Sequence, residues 1–335
     1  MSGSENHITP NRMKPVEGKR VMGKHVIAGA GQVGSQVARL LAEQGHEVVL
    51  VSRSGSGPDL PGVGKVAADA ADRERMTSLT RGADALYNCV NPPYHRWAQD
   101  WPPMAQSLLG AAEAAGAGYV VLGNLYVYAA PERPMREDDP LTPPSAKGAV
   151  RLRVWQEALA AHEAGRVRVT EVRGSDYFGP GCLDQSHLGE RLVPQMLGGK
   201  PVRVIGDPDQ PHSWTYVPDV ARALVTAAAD DRSWGRAWHV PTTEPMTTRQ
   251  IADRLCALAG VRNPGVKAMP HWMIRAAGLF SPMLGELEEL RYQFVRPFVL
   301  DSSDFQRTFG VTPTPMDEAL SATIAWWRDR LASAA

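Results

Sequence analysis

The chain has 335 residues, with 36 basic and 36 acidic side chains and no formal net charge at pH 7. That length accommodates one large domain or two, and balanced charge without blocks of one sign argues against nucleic acid or an anionic membrane as main partner. Three cysteines, Cys89, Cys182 and Cys256, are odd in number and widely spaced, which fits a reducing, cytoplasmic setting without a disulfide framework.

Residues 1–23 are polar and lack an apolar h-region, so they read as a disordered tail and not as a signal peptide. From residue 24 a βα rhythm sets in. "HVIAGAG" is a short buried strand breaking into glycines, and "QVGSQVARLLAEQG" an amphipathic helix stopping at Gly45. "EVVLVSR" is a strand, 72–82 a helix, "ADALYNCV" a strand, "MAQSLLGAAEAAGA" a helix and "YVVLGNLYVY" a strand. A helix then runs from the "SAKGAV" stretch to about Gly165, followed by the strand "RVRVTEVRG". Apolar strands alternating with amphipathic helices predict a Rossmann-type, doubly wound parallel sheet covered on both faces.

After residue 180 the rhythm loosens. A helix is expected near 188–198, a strand at "PVRVIG", a helix over Pro218–Ala229, a strand at "WHVP" and a helix over "TTRQIADRLCALAG" capped by Thr247 or Thr248. The last seventy residues read as helical with Pro-rich joints. "HWMIRAAGLFSPMLG" is too short to span a membrane and contains Arg275. The expected division is a dinucleotide-binding domain over 24–180, with returning segments within about 212–240, and a smaller, mostly helical substrate region over 181–335.

Gly29-Ala-Gly31-Gln32-Val33-Gly34 is a GxGxxG between a strand and a helix, the context in which glycines cradle a pyrophosphate at a helix N-terminus. At the end of the second strand an acidic residue would select NAD. Here stand Ser52-Arg53-Ser54, whose guanidinium and hydroxyls suit a 2′-phosphate, so NADP(H) is favoured and NAD(H) stays open. Asp69 and Ala70 close "VGKVAAD", placed to meet the adenine, and Cys89, Val90 and Asn91 turn the chain over the cofactor before Pro92-Pro93.

In order, GAGQVG, Asp69, NCVNPP, LGNLYVY, REDDPLTP, EVRGSDYFGPG, HSWTYVPDVARAL and HVPTTEPMTTRQIADRL resemble the short-chain dehydrogenase/reductase superfamily, in its extended or atypical epimerase-like branch. The resemblance implies an NAD(P)-dependent enzyme, with cofactor contacts extending to Gly174 and Tyr177. In that family a Ser or Thr precedes the Val-Tyr of the fifth strand by three residues, and a Tyr and a Lys lie four residues apart on the next helix. Here those positions are Asn124, Lys147 and Arg151, so all three depart from the pattern.

Lys147 and Arg151 share one helical face by i, i+4 spacing. Arg151 keeps a positive charge for the nicotinamide ribose and cannot give up a proton. Lys147 is a candidate acid, since a neighbouring cation and burial both favour proton release; the alternative is a surface residue in the first helical turn. Tyr126 and Tyr128 are substitute donors, and strand alternation places both on one face with Asn124. Asn124 both donates and accepts, as orienting a carbonyl requires.

Tyr94, Trp97, Asp176, Tyr177, His187 and Trp214 are the candidate substrate contacts, and their aromatic character suits an apolar compound better than a nucleotide sugar. Arg191, Lys200 and Arg203 are available for a diphosphate or equally for solvent. Nine histidines and three cysteines show no ligand spacing, so no metal is expected. The leading expectation is an NADPH-dependent reductase of a small, mostly apolar carbonyl compound. The rivals are a redox-neutral epimerase, dehydratase or cyclase, and an NADP-sensing regulator without turnover. Trp155 and Leu159 on the helix after residue 146 serve a dimer interface or the chain's own core, leaving monomer and homodimer open.

Overall fold

The computed structural model describes residues 22–129, 132–271, 273 and 288–333. The tail expected over 1–23 falls almost wholly outside the described residues, as does "HWMIRAAGLFSPMLG" apart from His271 and Met273. Strands run in chain order as β1 (Lys24–Ala28), β2 (Glu47–Ser52), β3 (Val63–Ala67), β4 (Ala85–Asn88), β5 (Gly118–Asn124), β6 (Val169–Gly174), β7 (Asp176–Phe178), β8 (Val202–Val204), β9 (Trp214–Tyr216), β10 (Ala237–His239) and β11 (Val266–Ala268). Seven of them form one sheet in the order β10-β6-β5-β4-β1-β2-β3, parallel throughout. The order reverses between β1 and β4, and such a switch point opens a crevice at the carboxyl ends of the strands.

Helices cover both faces: α1 (Gln32–Glu43), α2 (Arg73–Thr80), α3 (Trp97–Ala115), α4 (Ala146–Glu163), α5 (Val193–Leu197), α6 (Val217–Ala229), α7 (Thr248–Ala259), α8 (Ser303–Phe309) and α9 (Met316–Ser333). On α1, Val33, Val37, Ala38 and Leu41 recur at helical spacing and are buried with Ile27 and Leu50. Alternate β1 residues serve opposite faces: Ile27 packs with α1 and α6, Val26 with Leu108, Ala111 and Ala112 of α3. Fully burying each such branched side chain contributes about 1.5–3 kcal/mol.

Caps mark the helix ends that aim the site. Ser145 accepts from the Gly148 N–H at 3.0 Å and so starts α4. Thr247 and Gln250 form a reciprocal capping box on α7; one such cap contributes about 1 kcal/mol. The helix expected over 188–198 is only five residues, Val193–Leu197; Pro194 cannot donate to an earlier turn. α3 begins at Trp97 and not near 104, with Pro102 and Pro103 in its early turns. Trp155 is buried beneath α4 among Val121, Val169 and Ala158, within the chain's own core. A separate apolar cluster joins α5, α7 and α9 through Val193, Ile251, Leu255 and Ile324. Among the described residues no helix is long and apolar enough to cross a membrane.

Candidate functional site

The glycine loop sits where β1 meets α1. Gly29 has φ +107°, and a Cβ there would come within 2.5 Å of the Cys89 carbonyl oxygen. A side chain at Gly34 would overlap the Gly29 carbonyl, whereas one at Gly31 would point into open space. Gly31 provides no side-chain cap to α1, and the first turn holds no acidic residue. Its leading N–H groups and the positive end of the helix dipole are thus arranged for a pyrophosphate, and the loop fits a dinucleotide.

A cavity of about 740 Å³ starts at this loop. Gly31, Gln32, Val33 and Arg53 line one end, and Cys89, Val90 and Asn91 from the β4 terminus line its side. Arg53 makes no hydrogen bond or ion pair among the described residues, while the flanking hydroxyls of Ser52 and Ser54 bond within their own loop to Ser56, at 2.8 and 2.7 Å. Gly29, Gly34, Ser52, Ser54, Asp69 and Ala70 are not on the cavity wall. Asp69 accepts from the Ala71 N–H at 2.9 Å, and Ala70 is buried in the core.

Further along, Asn124, Tyr126, Tyr94 and Trp97 converge on the cavity. The expected alternation of Tyr126 and Tyr128 fails, because β5 ends at Asn124 and Leu125–Val127 coil into a 3₁₀ turn. Asn124 starts that turn by accepting from the Tyr126 N–H at 3.2 Å. The turn sends Tyr126 toward the cavity and Tyr128 into the interior, where its hydroxyl meets His239 at 3.0 Å and Arg173 at 2.7 Å. Tyr126 stacks on Trp97, and its hydroxyl lies 3.0 Å from that of Tyr94. Burial raises both phenols, Tyr94 to about 12 and Tyr126 well above the ordinary tyrosine value, with Asp176 adding to each. Both keep their protons at neutral pH.

The two α4 cations part company. Arg151 lines the cavity and is almost fully buried; its guanidinium donates to the Leu122 carbonyl, lies 3.5 Å from Glu171 and packs 4.4 Å over Trp101. Burial pulls its pKa down, Glu171 opposing, and its Nε has no hydrogen-bond partner among the described residues. Glu171 also holds Arg173 at 2.6 Å, so one buried carboxylate serves two guanidinium groups. Lys147 is not on the cavity wall. Its ammonium, buried at the start of α4, is 2.5 Å from the half-buried Glu289 carboxylate and 5.8 Å from the Tyr94 ring centre.

The far end belongs to the last residue of β6 and the chain beyond it. Gly174, Asp176, Tyr177 and His187 all line it. Tyr177 donates to the Gly123 carbonyl at 2.8 Å, clamping the β5 terminus. Trp214 is not on the wall: its indole N–H donates to the Met246 carbonyl at 2.8 Å and its ring packs in the C-terminal core, because β9 pairs with β7. Arg191, Arg203, Leu290 and Phe294 also line the wall, and of these four only the two arginines stand out in the sequence. Among the described residues no cluster of three or more His, Cys, Asp or Glu is placed to hold a metal.

A parallel sheet with a glycine loop at its switch point, opening into one cavity, defines a dinucleotide-binding α/β enzyme. The model of the NAD dependent epimerase/dehydratase family matches residues 25–240. The chain belongs to this family, the extended branch of the short-chain dehydrogenases/reductases, and is an NAD(P)-dependent enzyme. It is 27% identical over 257 residues to a 2-alkyl-3-oxoalkanoate reductase of Stenotrophomonas maltophilia, covering 70% of this chain and 75% of that one. It is 28% identical over 225 residues to a dTDP-glucose 4,6-dehydratase of Streptomyces griseus, covering 66% and 62%. The structure of MoeE5 in complex with UDP-glucose and NAD superposes with a TM-score of 0.76 at 26% identity, over 92% of this chain and all of that one.

Proposed function

We propose that this chain is an NADPH-dependent reductase of a small, largely apolar carbonyl compound. The observation that carries the reading is the single cavity joining Gly31 and Arg53 at one end to the Tyr94–Tyr126 hydroxyl pair and the rings of Trp97 and Phe294 at the other. When bound, the reduced nicotinamide supplies the hydride. Tyr126 donates the proton to the carbonyl oxygen, and Tyr94, hydrogen-bonded to it, relays a replacement. A phenol that keeps its proton at neutral pH is available as the donor that carbonyl reduction needs. Asn124 orients the carbonyl. Arg151, fixed by Leu122 and Glu171, brings a positive charge to the cavity wall beside the cofactor ribose. Arg53 pairs with the 2′-phosphate, which is why NADP(H) is preferred over NAD(H).

The dinucleotide is held by residues 24–180 with help from 212–240, and the substrate wall comes mainly from 181–335. The enzyme acts in the cytoplasm as a monomer or homodimer. The reductase relative supports the reaction class. A second reading, a redox-neutral epimerase or dehydratase, is favoured by Arg191 and Arg203 on the same wall, two cations that suit a diphosphate. The deciding experiment incubates purified protein with NADPH and a panel of ketones, imines and enones. NADPH oxidation with an alcohol or amine product supports the first reading. Product of unchanged oxidation level without NADPH loss replaces it with the second, and NADPH binding without turnover of any kind removes both.

A further inference from the structure

At the end of the cavity away from the glycine loop, Asp176 and His187 face each other across a gap that neither closes alone. Asp176 stands at the start of β7, separated from β6 by Ser175 alone, and His187 on the loop after it. One carboxylate oxygen of Asp176, Oδ2, is taken by His212 Nε2 at 2.6 Å. The other, Oδ1, lies 4.0 Å from His187 Nε2. That separation is too long for a hydrogen bond and short enough for one atom to bridge. An oxygen about 2.8 Å from both would subtend an angle of roughly 90°, within the range a hydroxyl uses when it donates to one partner and accepts from another.

The surroundings select the kind of atom. Burial keeps His187 below the usual imidazole range, with Asp176 opposing, so it is neutral at pH 7. Asp176 is held below the usual carboxylate range: burial opposes this, and the His212 hydrogen bond with the two imidazoles outweighs it. An ionised carboxylate beside a neutral imidazole accepts a donor and repels an anion. His212 stacks with Phe294 and Phe298, at 5.3 and 5.4 Å, and His187 lies 4.1 Å from the Phe294 ring, so both imidazoles that face the carboxylate pack on the same ring.

We propose, building on the reductase reading, that Asp176 and His187 form a hydroxyl-binding subsite. The carbonyl substrate thus carries a second oxygen as a hydroxyl, which donates to Asp176 Oδ1 and accepts from His187 Nε2–H. Asp176 is then a specificity residue: it requires a hydroxycarbonyl compound and turns away a carboxylate or phosphate at this position.

The test uses propiophenone and β-hydroxypropiophenone, two ketones that differ by one hydroxyl. Two readings are taken on the same protein: kcat/KM with NADPH, and affinity for NADP-loaded enzyme from quenching of tryptophan fluorescence. The hydroxyketone is expected to be preferred about tenfold or more, mainly through KM. Asp176→Ala brings that ratio close to one, and Asp176→Asn, which keeps an acceptor oxygen, restores part of it. A general loss of stability lowers both ketones together and leaves the ratio intact, so a ratio that survives Asp176→Ala overturns the subsite. Equal preference in the unaltered protein overturns it as well. If neither ketone is reduced, the reductase reading fails and the binding ratio alone decides; equal binding, or none, then ends the proposal too.

Discussion

Lys147 and Glu289 are joined twice: the Lys147 ammonium donates to one carboxylate oxygen at 2.5 Å and its backbone N–H to the other at 3.1 Å. Glu289 thereby sits at the N-terminus of α4, where the helix dipole also favours a negative charge. It precedes Leu290 and Phe294 of the cavity wall, so the pair ties that wall to the helix carrying Arg151. Lys147→Ala leaves a half-buried carboxylate short of a donor, and a loss of about 1–3 kcal/mol in unfolding free energy is expected at pH 7. Glu289 is held below the ordinary carboxylate range: burial opposes the shift and the Lys147 bonds outweigh it. A depressed carboxylate stabilises above its unfolded pKa and loses that contribution as pH falls through the folded one. The difference between the two proteins should therefore be full above about pH 5 and shrink toward pH 3. Denaturant melts across that range check it; a constant difference would assign the loss to packing.

The contrast between Lys147 and Arg151 shows where the sequence was legible. The βα rhythm and the parallel sheet follow from hydrophobic periodicity and the glycine loop from its GxGxxG spacing, and six of the seven sheet strands could be placed near their observed positions, though not their order in the sheet. Helical spacing also brought Arg151 to the cavity. The same spacing could not foresee Glu289, 142 residues away in the chain, since nothing local marks it as a partner. Tyr126 and Tyr128 were separated by a 3₁₀ turn that a run of apolar and aromatic residues does not announce. β3 is a short, mostly exposed edge strand, VGKVA, whose apolar run is interrupted by Gly64 and Lys65. Glu171 could have been noticed as a lone acid amid the strand "RVRVTEVRG", where a buried carboxylate needs a cation.

Tyr126→Phe is expected to lower kcat for carbonyl reduction by about a hundredfold, with KM changed little, because the hydroxyl matters most as the proton moves. Tyr94→Phe removes only the relay partner and should cost less. Burial holds both phenols above the usual tyrosine range, Tyr94 at about 12. The protonated form is the active one, so the rate should not fall through loss of the phenolic proton below about pH 10. A kcat profile with a falling limb near neutrality would place the acid elsewhere.

Arg53→Ala separates the two cofactors. Its guanidinium lies at the glycine-loop end of the cavity without a competing hydrogen bond or ion pair among the described residues. NADPH affinity should drop about 10- to 100-fold, roughly 1.4–2.8 kcal/mol, and NADH affinity should stay within about twofold. Fluorescence titrations at one ionic strength measure both, since an exposed charge pair is screened by salt. A parallel loss for the two nucleotides would mean that Arg53 meets the pyrophosphate or supports the loop.

The second and third glycines of the loop should fail for different reasons. Gly31 has φ −74° and ψ −169°, a conformation any residue adopts, and a Cβ there meets nothing within 4 Å. Gly31→Ala is therefore expected to fold with unchanged or slightly raised stability, since alanine restricts the unfolded chain. The added methyl stands where the backbone approaches the pyrophosphate, so nucleotide affinity should fall at least about tenfold. Gly34→Ala instead drives a Cβ into the Gly29 carbonyl, a backbone atom that cannot rotate away. The cost should appear without any nucleotide, as about 1–3 kcal/mol of lost stability while α1 shifts off β1. Melting both proteins alone and then titrating them with NADPH distinguishes the two effects. A Gly31→Ala protein that binds NADPH as before would show that the pyrophosphate does not lie against this turn, and the cofactor placement built on it would have to move.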